Sequence, residues 1–120
     1  MSRRRREAGD GPELLTPELR RRFLERVATS LREEPLVLDI VEHRRRVGRL
    51  LKLHGTVDHY ELLSVGAGAE PAQIQAAYEE VSRLVHPDNS GRLGSAGIAI
   101  RLGRLFDAVT EAYLTLADPE

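Results

Sequence analysis

The chain has 120 residues, 41% of them hydrophobic and only 4% aromatic, which suits one small domain with an extension and a core of Leu, Val, Ile and Ala. There is no cysteine, which excludes disulfides and thiolate metal sites. Basic and acidic residues nearly balance at 18 to 19, but residues 1–57 hold 14 basic and 9 acidic side chains, a surplus of +5, and residues 58–120 hold 4 and 10, a deficit of −6. That split implies two parts with different partners, or two parts that attract each other.

In chain order, residues 1–13 carry four arginines and no apolar periodicity, the pattern of a disordered basic tail. Thr16-Pro17-Glu18 is a helix start, with a capping hydroxyl, a proline suited to the first position and an acid near the positive end of the dipole. Leu19, Phe23, Val27 and Leu31 then repeat every fourth residue, and Pro35 should end that helix. A second helix is expected from Leu36 to His54, with Gly55 as its stop and Gly48 weakening its middle. Together these make residues 14–56 a basic helical extension.

A short helix is expected at His59 to Leu63, followed by a Gly66-Ala67-Gly68 loop. Pro71 opens a longer helix with Ile74, Ala77, Tyr78, Val81 and Val85 on one face, and Pro87 stops it. The glycines and serines of Asn89 to Gly97 predict a flexible loop. A last helix carries Ile98, Leu102, Leu105, Phe106, Val109, Ala112, Tyr113 and Leu116, ending at Asp118-Pro119. The two long helices should pack as an antiparallel hairpin with the short one covering an end, in an all-α protein.

Several segments carry a family signature. Asp58-His59-Tyr60-Glu61-Leu62-Leu63 opens it, and Ile74 followed by Ala77-Tyr78 falls on the second helix. His86-Pro87-Asp88 comes at the hairpin tip, and Phe106, Val109 to Tyr113 and Leu116 to Glu120 fall on the third. In this order and spacing they resemble the J-domain, the co-chaperone module of DnaK-type heat-shock chaperones, over residues 58–120. The resemblance implies that the tripeptide and the outer face of the second helix dock on the chaperone and stimulate its ATPase. His86, Pro87 and Asp88 would carry that activity, with Tyr78 and Arg83 as second-helix contacts. Pro87 stiffens the turn, Asp88 offers a carboxylate to a partner arginine, and His86 either braces the turn or touches the partner.

The chain departs from the family where Gln75, Ala76, Glu79, Glu80, Ser82 and Arg83 stand in place of an outer face rich in Lys and Arg. Arg83 is the one base there, and Glu79 is spaced to pair with it. Leu63-Ser64-Val65 also replaces Leu-Gly-Val. A J-like scaffold without chaperone stimulation therefore stays open, as does a weak nucleic-acid binder using the arginine clusters at 3–6, 20–22 and 44–46. The latter is less favoured, because no aromatic residues interleave with the arginines. His43, His54, His59 and His86 make no metal-ligand pair at helical spacing, and no nucleophile with a base stands out, so neither metal, cofactor nor catalysis is expected. Tyr60, Tyr78 and Tyr113 read as core residues with their hydroxyls at the surface. No apolar run reaches the ~18 residues of a membrane span, and the plain expectation is a cytoplasmic protein whose residues 14–56 bind an unknown client or targeting partner.

Overall fold

The computed structural model describes residues 14–55, 58–94 and 97–117. The tail expected at 1–13 and the stop expected at Asp118-Pro119 lie outside them. Among the described residues the secondary structure is helical throughout: α1 (Pro17–Glu33), α2 (Ile40–Leu53), α3 (His59–Leu62), α4 (Pro71–Val85), a 3-10 turn (Pro87–Asn89), α5 (Ser90–Leu93) and α6 (Ile98–Ala117).

Local chemistry sets most of the boundaries. Thr16 Oγ1 accepts from the Leu19 N–H at 3.2 Å, Pro17 occupies the first turn, and α1 stops one residue before Glu34-Pro35. α2 begins later than expected, and of the apolar face read for it, Val37, Ile40, Val41, Val47, Leu50 and Leu51, the first three are exposed. Leu36 to Leu38 are not helical, and Asp39 caps α2 through Oδ1 on the Glu42 N–H at 2.8 Å. The leucines at 36 and 38 are partly buried against the core from this connecting segment, so they satisfy a hydrophobic pattern without extending the helix. Gly55, at φ +87°, follows α2 in the left-handed conformation open to glycine. Asp58 caps α3 on the Glu61 N–H at 2.9 Å, and the Glu70 N–H donates to Gln73 Oε1 at 2.8 Å where α4 starts.

The expected hairpin is α4 against α6. Leu102, Leu105, Phe106, Val109 and Ala112 of α6 are fully buried, and Ile74, Tyr78, Val81 and Val85 of α4 pack into the same core. The chain direction reverses between them, since Tyr78 meets Thr110 and Tyr113 while His86 meets Phe106.

Residues 14–55 do not stand apart from this hairpin. α1 and α2 both pack on α4, one along each flank, leaving Ala72, Ala76, Glu79 and Glu80 open to solvent between them. The flexible loop expected from Asn89 to Gly97 is a correction. Its first half is the 3-10 turn and α5, anchored by Asn89 and Leu93, which are 8% and 4% exposed. A leucine inside a Ser-Gly-Arg-Leu-Gly stretch is enough to tie the segment to the core.

Candidate functional site

The His86–Asp88 turn sits where α4 stops, and side chains meet the backbone groups that the helix end leaves open there. Pro87 has no N–H, so the Arg83 carbonyl loses its helical donor. Asn89 Nδ2 replaces it at 2.7 Å and also reaches the Leu84 carbonyl at 3.2 Å. The Asp88 N–H is held by His86 Nδ1 at 3.0 Å, which leaves the Leu84 carbonyl to a second outside donor, His43 Nε2, at 2.9 Å. The Arg83 and Leu84 carbonyls and the Asp88 N–H at this helix end are therefore each met by a named side chain.

His86 is 4% exposed, and its ring lies edge-on to Phe106 with centroids 5.5 Å apart. Its Nε2 donates to the Leu24 carbonyl of α1 at 2.8 Å. Of the two roles open to it in the sequence, bracing the turn is the one its contacts describe. Pro87 is half-buried, and the Asp88 carboxylate points outward with its side chain 66% exposed. The turn thus buries its histidine and presents its acid.

Tyr78 and Arg83 are placed differently from an outward-facing contact. Tyr78 is 4% exposed, and its hydroxyl shares a 2.8 Å hydrogen bond with Thr110 Oγ1 inside the core, not at the surface as expected. Burial pushes that phenol up to about 12. Its ring stacks on Tyr113 at 4.6 Å, and Phe23 of α1 meets the pair edge-on at 5.8 and 6.4 Å. Arg83 does not pair with Glu79. Its guanidinium donates to the Ser30 carbonyl at 3.1 Å, which also accepts the Glu34 N–H, and to Ser30 Oγ and the Glu34 carbonyl at the C-terminal end of α1. Glu79 accepts from Gln75 Nε2 at 3.3 Å.

The open face of α4 is acidic at Glu79 and Glu80, but its flanks are basic. Arg26 and Arg83 border the groove between α1 and α4, while Arg45, Arg46 and Arg49 border the one between α2 and α4. Arg46 bridges the second groove, with Nη1 3.5 Å from Glu80 and Nε 3.1 Å from Glu42. The N-terminal half thus places Arg26, Arg45, Arg46 and Arg49 beside α4, with Arg45 and Arg46 paired to Glu42 and Glu80.

Two participants carried no visible signal as site residues. Asn89 reads as loop composition, and its role as a helix-end donor is visible only in three dimensions. His43 occupies a position on the stripe of Val47 and Leu50, which marks it as buried, but its acceptor is the Leu84 carbonyl, 41 residues away in the chain. It is fully buried, and among the described residues its Nδ1 has no hydrogen-bond partner. Burial is the main cause that lowers its pKa below the ordinary 6.5, against the raising effect of the Leu84 hydrogen bond, and Arg92 lowers it further.

Comparison with known proteins gives this arrangement a family. The family model of the DnaJ domain matches residues 58–120. A "Chaperone protein DnaJ" of Bacillus licheniformis is 38% identical over 63 residues, 52% of this chain and 15% of that protein. A tetratricopeptide-repeat and J-domain-containing co-chaperone of Fusarium oxysporum is 34% identical over 70 residues, 58% of this chain and 13% of its own length. A DnaJ homologue of subfamily C, member 7 type, from Schizosaccharomyces pombe is 36% identical over 77 residues, 63% of this chain and 15% of that protein. The chain spans only 13 to 15% of the length of these three relatives. No solved structure gives a significant match. A matched segment of this extent, ending in an α4–α6 hairpin with His86-Pro87-Asp88 at its tip, shows that the chain belongs to the DnaJ-domain family.

Proposed function

We propose that the chain is a co-chaperone module that recruits a DnaK-type chaperone through the His86-Pro87-Asp88 turn and stimulates its ATP hydrolysis. The observation that carries this reading is the division of labour within the turn: a buried, doubly bonded His86 and an Asp88 carboxylate held in solvent. An anion fixed on a stiff turn suits a bidentate, charge-assisted bond with a partner arginine. The module makes and breaks no covalent bond. It acts by binding the hydrolysis-competent state of the chaperone more tightly than the other, and so shifts the population.

The test is single-turnover ATP hydrolysis by a DnaK-type chaperone with the native chain, His86→Gln and Asp88→Asn. Acceleration by the native chain that disappears in Asp88→Asn, with helical circular dichroism unchanged, supports the reading. No acceleration with several chaperones would sink it.

The scaffold reading draws support from Glu79 and Glu80, which face outward where a basic surface is the family expectation. Glu79→Lys with Glu80→Lys separates the two. A co-chaperone weakened by its acidic ridge gains affinity at low salt, and a scaffold gains nothing. A client or targeting partner of residues 14–56 has the outward faces of α1 and α2 available, since their inner faces are packed on α4.

A further inference from the structure

The ring of His86 is addressed from both sides. Nδ1 accepts from the Asp88 N–H, and Nε2 faces the Leu24 carbonyl, which can only accept. The neutral ring must therefore carry its proton on Nε2, and this is the tautomer that leaves Nδ1 free to hold Asp88. Leu24 belongs to α1, outside the 58–120 segment that matches the family.

α1 is itself seated at three points. Near its start, Arg20 Nε meets Asp107 Oδ1 of α6 at 2.6 Å. In its middle, Phe23 lies on the Tyr78–Tyr113 stack, next in sequence to Leu24. At its end, Arg83 binds the carbonyls of Ser30 and Glu34. Arg83 and His86 both come from the α4 end of the hairpin, and both donate to main-chain oxygens of α1.

We propose that α1 is a positioning element of the docking site: its Leu24 carbonyl fixes the His86 tautomer, and His86 in turn fixes the outward presentation of Asp88. Arg83 then acts by securing the end of α1, not by touching a partner. The consequence for binding rests on the co-chaperone reading; the consequence for the turn does not. With α1 loosened, Nε2–H loses its acceptor, the ring is free to exchange tautomers and turn, and the Asp88 N–H is released. Docking then has to order a turn that the native chain presents already ordered. A helix that merely covered the site would act with the opposite sign, because loosening it would expose His86 and Arg83.

The experiment uses full-length variants remote from the turn: Phe23→Ala, the conservative Phe23→Leu, Arg20→Asp, and Arg20→Asp combined with Asp107→Arg. Nitrogen-15 spectra of the imidazole groups at neutral pH report the tautomer without any chaperone. Single-turnover ATP hydrolysis against co-chaperone concentration reports docking. In the native chain His86 should show one protonated and one bare ring nitrogen. In Phe23→Ala the two signals should converge, and the concentration for half-maximal stimulation should rise about three- to tenfold with the saturating rate unchanged, as expected of lost pre-organisation. Phe23→Leu and the charge swap should restore both readouts. Arg20→Asp gives the same answer, more weakly, if Phe23→Ala does not fold.

An unchanged tautomer in both loosened variants overturns the proposal, as does stimulation that rises instead of falling. A native chain that stimulates no chaperone defeats the co-chaperone reading alone, since the ring-nitrogen spectra still decide whether α1 sets the turn.

Discussion

α1 and α2 flank the same helix, yet they are attached by different physics. α2 contributes His43, Val47 and Leu50 to the interior, at 0%, 3% and 7% exposure, whereas α1 has one buried residue, Val27. α1 lays Phe23, Leu24 and Leu31 on the core only partly buried, and adds to them an ion pair, an edge-on aromatic contact and hydrogen bonds to its backbone. Buried apolar area contributes stability to the whole domain, while contacts at a half-exposed rim open at lower free energy. The difference assigns α2 to the core and α1 to the site: one flank keeps the hairpin folded, the other adjusts its tip.

The sharpest way to break that comparison is to truncate a side chain on each flank. Leu50→Ala should lower global stability by about 2–4 kcal/mol in urea unfolding, as a buried leucine does. Phe23→Ala should leave the α4 and α6 amides nearly as protected from hydrogen exchange as before, with protection lost in α1. Equal losses from both would mean that the two flanks belong to one cooperative unit.

Acid should act on the α2 side next. His43 is buried and neutral, with a pKa held below 6.5, so the unfolded chain takes up a proton that the folded chain resists. Its contribution is therefore complete above pH 6.5 and is lost as the pH falls below that value, at up to about 1.4 kcal/mol per pH unit. Unfolding at stepped pH should show this slope in the native chain and a smaller one in His43→Gln. A slope unchanged by the substitution would assign the acid sensitivity elsewhere.

Two glycine exchanges sharpen the picture with smaller effects. Ser64 sits at φ +63°, the left-handed region, at the position where the family carries glycine. Ser64→Gly should raise stability by about 1 kcal/mol by relieving that strain without touching either flank. Gly48, in the middle of α2, has nothing within 4 Å of where a Cβ would stand beyond its chain neighbours and its own helix backbone. Gly48→Ala should add about 0.5–1 kcal/mol and widen the gap between the two flanks, read as a rise in the urea midpoint. A loss at Gly48 would mean that α2 needs a flexible middle.

These residues also mark how far the sequence could be read. Thr16-Pro17, Pro35, Pro71 and Pro87 fix helix ends by chemistry that acts within a few residues, and those ends were legible. The start of α2 was not, because Val37, Ile40 and Val41 continue a helical spacing yet stand exposed, while Leu36 and Leu38 meet the core from a non-helical segment. Ser90 to Gly94 has loop composition, and only the burial of Leu93 makes it a helical turn. The tripeptide stood out by its residues and order. Its link to α1 did not, because Glu79 is the obvious local partner for Arg83, and its true partners lie about 50 positions away in the chain.

The acceptors on α1 are main-chain oxygens of Leu24, Ser30 and Glu34, and Arg92 similarly binds the Leu38 carbonyl. Such oxygens are present whatever side chain the gene encodes, provided the backbone keeps its path. Leu24, Ser30, Glu34 and Leu38 can therefore change identity while the grip persists, provided that Arg20 and Phe23 keep α1 seated. A proline or a one-residue deletion within α1, which shifts the backbone itself, should do more harm than substitution at any of those four positions.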